Sequence, residues 1–295
     1  MSTKTVRIGT RDSQLAILQT QLVCNAITAR HPHIAFELVP MKTTGDKILN
    51  QTLDKVGGKG LFVKELDAAL IHGHVDLCVH SLKDVPPQDN PELPLAALLQ
   101  RGDPRDALIL PQTQNFPAFT AQIGTSSLRR KLQLQSLFPN CTCTPVRGNI
   151  LTRLSKADSG AYSALVLASA GLQRSGLAAR ISRIFSVQEM LPAAGQGILT
   201  IQARAQDHWP FLSDVHHPPT ATAALAERSF VGTLGGNCSA PVAAYAQVNG
   251  NELKLTGLHA PAGDIFFTDT ITGQTDKAEQ LGEELAQRMK GRHNA

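Results

Sequence analysis

Aromatic residues are scarce in this chain, with 10 Phe, 2 Tyr and 1 Trp among 295 residues. That leaves few ring faces for stacking single-stranded bases, and no helical stretch carries a basic stripe suited to a DNA groove. No run approaches the ~18–20 apolar residues that a membrane span needs. Arg7, Arg11 and Asp12 interrupt the place where the apolar core of a signal peptide would sit. The five cysteines are an odd number without regular spacing. This argues against an oxidised secreted scaffold and for a reducing, cytoplasmic setting. Charged residues make up only 18%, no long like-charge run is present, and the apolar share is 42%. A disordered chain, a coiled coil and a collagen are thereby excluded. The net charge of +4 is modest, so the positions of the basic residues carry more information than their sum. At ~150 residues per domain the length suggests two domains or three small ones.

What is present is an alternation of strand and helix. Residues 6–9 read as a strand, followed by an N-cap at Asp12 or Ser13 and by Leu15, Leu18, Leu22 and Ala26 at helical spacing. Residues 34–39 read as a second strand, 60–71 as a helix with Phe62, Leu66 and Leu70 on one face, and 75–80 as a third strand. This order predicts a largely parallel sheet covered by helices. The order then recurs. Ile8-Gly9-Thr10 matches Ile123-Gly124-Thr125, which precedes a helix carrying Leu128, Leu132 and Leu134. Pro40-Met41-Lys42 matches Pro145-Val146-Arg147, and the strand after Gly73 matches residues 164–168 after Gly160. The alternatives are two related α/β lobes around one cleft or chance similarity among common βα turns. Residues 208–219, with three prolines, read as a linker. Beyond them, a helix at 220–231, strands at 242–248, 252–259 and 265–271, and a closing helix with Ala278, Leu281, Leu285 and Met289 predict a small α+β domain with an antiparallel sheet.

The candidate chemistry lies in the turns. Residues 10–13 and 124–130 open helices with free N–H groups and arginines, a setting that favours anions. Each turn alone is equally a capped helix with solvated arginines. Together with Arg147, Arg153 and Arg174 they point to one cleft for a polyanion. Residues 57–60 lack the Walker A spacing and no dinucleotide fingerprint follows a strand, so an organic ligand with several carboxylates fits better. The run 79–86 places His80, Ser81, Lys83 and Asp84 at a strand end, where α/β sheets hold ligands, although a surface Lys–Asp pair is the plainer reading. Cys238 follows Gly235 and Gly236 on a turn and is either a nucleophile or attachment point or an inert half-buried thiol. Cys141 and Cys143 have no second ligand pair at metal spacing, so no metal site is expected. Residues 51–60 read as a glycine-rich flap with Lys55 and Lys59, or as an ordinary surface loop.

These stretches together resemble the porphobilinogen deaminases, also called hydroxymethylbilane synthases. The matches are R-I-G-T-R-D-S at 7–13, K-V-G-G-K-G-L-F-V-K-E-L at 55–66, V-H-S-L-K-D-V-P at 79–86, D-P-R-D-A at 103–107, G-T-S-S-L-R-R at 124–130, V-R-G-N at 146–149 and L-P-A-A-G-Q-G at 191–197. The resemblance spans essentially the whole chain. It implies two lobes like type II periplasmic binding proteins, at 1–99 with 197–214 and at 103–191, and a cofactor-anchoring α+β domain at 219–295. It also implies a dipyrromethane cofactor joined by a thioether to Cys238, four deaminative additions of porphobilinogen through an azafulvene, and hydrolytic release of a linear tetrapyrrole for haem biosynthesis.

By resemblance Asp84 is the catalytic carboxylate. Ser81, Lys83, Asp84, Thr125, Ser127, Arg129, Arg130, Arg147 and Gly148 bind the cofactor, while Arg11, Ser13, Gln19, Phe62, Arg147, Arg153, Arg174 and Gln196 bind substrate. Lys55 and Lys59 belong to the flap. A monomer that binds neither nucleic acid nor membrane is expected. Asn237 departs from the family loop, which has two glycines directly before the cysteine. Asn tolerates left-handed backbone angles, so the turn is expected to persist. The rivals are a non-catalytic two-lobed binding protein for an acidic small molecule and a nucleic-acid-binding protein.

Overall fold

The computed structural model describes residues 5–47, 60–112, 121–236, 241–261 and 265–291. Three sheets organise them. The first is drawn from β1 (Thr5–Arg11), β2 (Ala35–Met41), β3 (Leu77–Ser81), β4 (Leu95–Leu98) and, much later in the chain, β10 (Leu199–Ala203), in the order β2-β1-β3-β10-β4. The second contains β5 (Asp106–Ile109), β6 (Gln122–Gly124), β7 (Thr142–Thr144), β8 (Ala164–Ala168) and β9 (Arg183–Ile184), in the order β7-β6-β8-β5-β9. The third is the antiparallel meander β11 (Val242–Asn249), β12 (Glu252–His259) and β13 (Phe267–Gln274).

Period-two burial makes each of the first two sheets the middle of three layers. In sheet one, Leu77 and Val79 face a core shared with Val23 and Ile27 of α1 (Gln14–Thr28). Cys78 faces the other side, with Leu66 and Leu70 of α3 (Lys64–Ile71), which follows the single turn α2 (Thr44–Lys47). In sheet two, Ala164 and Val166 pack with Leu134 of α4 (Leu128–Leu137). Leu165 and Leu167 pack with Leu154 of α5 (Ile150–Asp158) and Leu172 of α6 (Ser169–Arg174). The third sheet buries one face under α7 (Pro218–Thr233) and α8 (Ala278–Gly291), where Ala278, Leu281, Leu285 and Met289 all point inward.

Four expectations change. The inward side of α1 is Gln19, Thr20, Val23, Cys24 and Ile27, whereas Leu18 and Leu22 are 36% and 45% exposed. The cause is polar anchoring: the Thr20 hydroxyl donates to Thr10 Oγ1 at 2.8 Å, and Gln19 accepts from the Ser81 hydroxyl at 3.1 Å. Phe62 stands in the turn before α3, and its ring lies under the Arg11 guanidinium at 4.3 Å. Residues 208–219 are no loose linker, because Phe211, Leu212 and Val215 complete the α1-side core of sheet one and Pro218 and Pro219 begin α7. The strand expected from 265 begins at Phe267.

The chain crosses between the two sheets twice, and the crossovers lie side by side. Gly102 N–H donates to Gly197 O at 3.1 Å, and Gly197 takes φ +89° so close to Gly102 O that a Cβ would sit 2.8 Å from it. Glu227 of α7, fully buried, accepts from Arg101 of the outward crossover, from Gly195 N of the return one and from Ala246 N of β11. One carboxylate therefore ties both crossovers to the third sheet.

Candidate functional site

A cavity of about 730 Å³ lies between the two five-stranded sheets. Three helices of eight or more residues begin on its wall. Ser13 caps α1 by accepting from Ala16 N, Ser127 caps α4 by accepting from Arg130 N, and Asn149 caps α5 by accepting from Thr152 N. None of the three first turns holds an acidic residue, so their positive dipole ends stay uncompensated. Gly148, at φ +111°, makes the bend into α5, where a Cβ would meet Thr152 at 2.8 Å.

The end of β3 supplies the acid. After Ser81 the chain tightens into a 3-10 turn, Leu82–Asp84, pinned by the buried Leu82 and by Leu82 N donating to Ile198 O at 3.0 Å. Lys83 and Asp84 are thereby turned to the cavity. Asp84 is 31% exposed at its side chain and lies 3.8 Å from Arg11 Nη1. Burial pushes the Lys83 ammonium down to about 8, with Asp84 and Asp106 opposing and Arg130 and Arg129 reinforcing the fall. Its Nζ reaches Gln196 Oε1 at 3.5 Å. In place of a surface Lys–Asp pair, Lys83 and Asp84 are both set into a cleft.

Cations line the rest. Arg11 is braced by Asp46, which accepts from Arg11 Nε at 3.2 Å and from the Thr43 hydroxyl at 2.6 Å. Burial favours a neutral Asp46, but Arg11 and Thr43 outweigh it and hold the carboxyl below the usual range. Arg153 is pushed down to about 10 by burial, with Arg130, Arg147 and Arg11 nearby, and its Nε donates to Gly148 O at 2.7 Å. Arg174 donates to Gly197 O at 2.6 Å, linking α6 to the return crossover. Arg129 and Arg130 share Asp106, and Arg147 completes the wall.

Of the residues named from sequence, Arg11, Ser13, Gln19, Phe62, Ser81, Lys83, Asp84, Ser127, Arg129, Arg130, Arg147, Gly148, Arg153, Arg174 and Gln196 all line this one cavity. Thr125 is buried behind it, and its hydroxyl accepts from Ser127 N at 3.3 Å, shaping the turn. Lys55, Lys59 and Cys238 lie outside the described residues.

Three contributors were not named. Asp46 and Asp106 brace the arginines. Arg228 of α7 lines the cavity, and its Nη1 is buried without a hydrogen-bond partner among the described residues. Asp106 had a visible signal in D-P-R-D-A at 103–107; Asp46 and Arg228 had none, because their partners are distant in sequence. Among the described residues no group of three or more His, Cys, Asp or Glu could hold a metal, and no helix is long and apolar enough to cross a membrane.

Two family models match this chain: "Porphobilinogen deaminase, dipyromethane cofactor binding domain" over residues 6–210 and "Porphobilinogen deaminase, C-terminal domain" over 221–291. A porphobilinogen deaminase of Alkaliphilus oremlandii is 52% identical over 286 residues, covering 97% of each chain. Another, from Ruminiclostridium josui, is 52% identical over 289 residues, covering 97% of this chain and 98% of that one. Among solved structures, the periplasmic aliphatic sulphonate binding protein SsuA of Escherichia coli overlaps at a TM-score of 0.41 and 13% identity, over 80% of this chain and 76% of that one.

Proposed function

The chain belongs to the porphobilinogen deaminase family, and from that premise we propose which residues carry out the family's work. The activity is that of a hydroxymethylbilane synthase, a transferase of tetrapyrrole (haem) biosynthesis that joins four porphobilinogen units onto a dipyrromethane primer and releases the linear product.

The residues present fit such a group. Each pyrrole ring brings an acetate and a propionate, and the cavity offers three uncompensated helix N-termini, a row of arginines and a buried Arg228 Nη1 without a partner among the described residues. When bound, the dipyrromethane supplies the nucleophilic carbon for the first addition. Cys238 would hold it through a thioether, and Lys83, Ser81, Ser127, Arg129, Arg130, Arg147 and Gly148 would hold its carboxylates, with Thr125 shaping the turn. Arg11, Ser13, Gln19, Phe62, Arg153, Arg174 and Gln196 would receive incoming porphobilinogen. Lys83, with its pKa near 8, remains largely cationic at neutral pH and so serves as an anion ligand.

Asp84 carries the reading: it is a partly exposed carboxylate on a wall otherwise dominated by cations. Cationic character develops on the pyrroles when ammonia leaves and again when the new bond forms. The Asp84 carboxylate stabilises that charge at the ring N–H and moves the departing proton. Arg11 Nη1 stands 3.8 Å from this carboxylate.

Residues 1–99 with 197–214 form one lobe in this reading, 103–191 the second and 219–295 the anchoring domain, with Lys55 and Lys59 in a flap over the cleft. A cytoplasmic monomer follows from the same reading. The decisive test is the denatured intact mass before and after porphobilinogen, with peptide mapping. A gain of two linked pyrrole units on Cys238, followed by single-unit additions, is expected. An unmodified chain that stays unmodified with substrate defeats the reading.

A further inference from the structure

We propose that Asp106 is a positioning residue for the cleft: by holding Arg129, Arg130 and Gln196 together, it aims the remaining N–H groups of the two arginines and, through Gln196 Oε1, Lys83 at the cofactor's carboxylates. The inference rests on the function proposed above.

Adjacent helical residues diverge by about 100°, so Arg129 and Arg130 have no intrinsic reason to present one surface. Both are buried, and two buried guanidiniums side by side are costly without a counter-charge. Asp106 opens β5 at the foot of the outward crossover, opposite Ala168 of β8, and is fully buried. Its Oδ2 accepts from Arg129 Nη1 at 2.8 Å. Its Oδ1 accepts from Arg130 Nη2 at 2.8 Å, Arg130 Nε at 3.2 Å and Gln196 Nε2 at 2.9 Å.

Each partner is pinned a second time by backbone. Arg129 Nη1 also donates to Leu191 O at 2.7 Å, Arg130 Nη1 to Val166 O at 3.1 Å, and Gln196 Nε2 to Pro104 O at 2.7 Å. Gln196 Oε1 then accepts from Lys83 Nζ on the opposite lobe. Arg129 spends only Nη1 on these described partners, which leaves its Nε and Nη2 edge for a ligand. One negative charge faces three positive ones, so the cluster orders its cations while keeping a net attraction for carboxylates. Burial disfavours the Asp106 carboxylate, yet Arg129 and Arg130 hold its pKa far below the usual range, so it stays ionised through the working pH range.

Asp106→Asn keeps the shape and removes the charge, whereas Asp106→Glu keeps the charge and displaces it. Wild-type protein is measured first. If it neither carries the two-pyrrole mass nor consumes porphobilinogen, the function fails and not this inference. With a functional wild type, folded Asp106→Asn is expected to show reduced cofactor occupancy and a KM for porphobilinogen raised roughly tenfold or more. The alkaline limb of kcat/KM should move to lower pH, because Lys83 faces Asp84, Asp106, Arg129 and Arg130 and would lose one of its two acidic neighbours. Asp106→Glu should return the limb toward its wild-type position.

Wild-type occupancy, KM and limb in folded Asp106→Asn overturn the proposal. A lowered melting temperature with KM and limb unchanged overturns it as well, since that describes scaffold alone. If Asp106→Asn yields no soluble protein, Asp106→Glu decides: a KM raised roughly tenfold at a wild-type limb supports positioning, and a wild-type KM refutes it.

Discussion

The two five-stranded sheets follow one plan. In each, three strands run parallel in the order second-first-third (β2-β1-β3 and β7-β6-β8), and the fourth is antiparallel and reached by a crossover. Gly9 opposes Cys78 in the first sheet, as Gly124 opposes Leu165 in the second. That register aligns Ser81, Lys83 and Asp84 with Ala168, Ala170 and Gly171, and His80 with Leu167. The same backbone position therefore carries an acid and a base in one lobe and small residues in the other. Shared topology places a strand end at the cleft from both sides, and side chains alone distinguish the two ends. The lobes also handle their arginines differently. Arg11 of the first is braced by a half-buried Asp46, whereas Arg129 and Arg130 of the second close on a fully buried Asp106.

Asp84→Asn erases the difference at the strand ends and should have the largest effect. Turnover is expected to fall by ~10³-fold, within the range for losing a proton-transferring group, in protein that melts as wild type does. Turnover within a few-fold of wild type would remove the catalytic distinction between the lobes.

The pair His80 and Leu167 gives the next effect. Burial pushes the His80 imidazole down to about 4, against which Gln202 and Asp84 pull upward. The unfolded chain takes up a proton at about 6.5, so stability is lost as pH falls from about 6.5 and the loss is complete near 4, amounting to about 3 kcal/mol. His80→Leu copies the second lobe and should remove this acid limb from denaturation curves measured between pH 7 and 4. An unchanged limb would assign it to other groups.

Gly9→Ala and Gly124→Ala test the likeness itself. A Cβ would lie 2.7 Å from Cys78 Sγ in the first case and 2.6 Å from Leu165 Cδ2 in the second, so both variants should lose ~1–3 kcal/mol in chemical denaturation. A cost confined to one glycine would break the equivalence at the first strand.

Much of this architecture was readable from local pattern. The repeated Ile-Gly-Thr before a helix corresponds to the matched strands β1 and β6, and residues 278–289 present their four apolar positions inward as spaced. The face of α1 was not readable that way. Its leucines count as apolar wherever they point, whereas the buried Gln19 and Thr20 are fixed by Ser81 and Thr10, contacts that a periodicity does not contain. The linker reading of 208–219 failed for the same reason: three prolines break helix and strand, but Phe211 and Leu212 still had a core to fill. The cleft residues were legible as motifs, and Asp46 and Arg228 were not, because Asp46 meets Arg11 and Arg228 meets the cleft only across long stretches of chain.

By itself the sequence determined the alternation of strands and helices, the capped turns that open helices at the cleft, the antiparallel C-terminal unit and, through its long ordered motifs, the family. These are local properties, set by side-chain period, capping chemistry and turn residues. Only the tertiary structure decided that Arg129 and Arg130 share a carboxylate on β5, that Gln196 of the return crossover reaches Lys83, and that Glu227 ties both crossovers to the third sheet. Buried charges are tolerated only where the fold brings an opposite charge within hydrogen-bond reach, and here that partner is supplied by chain tens of residues away or more.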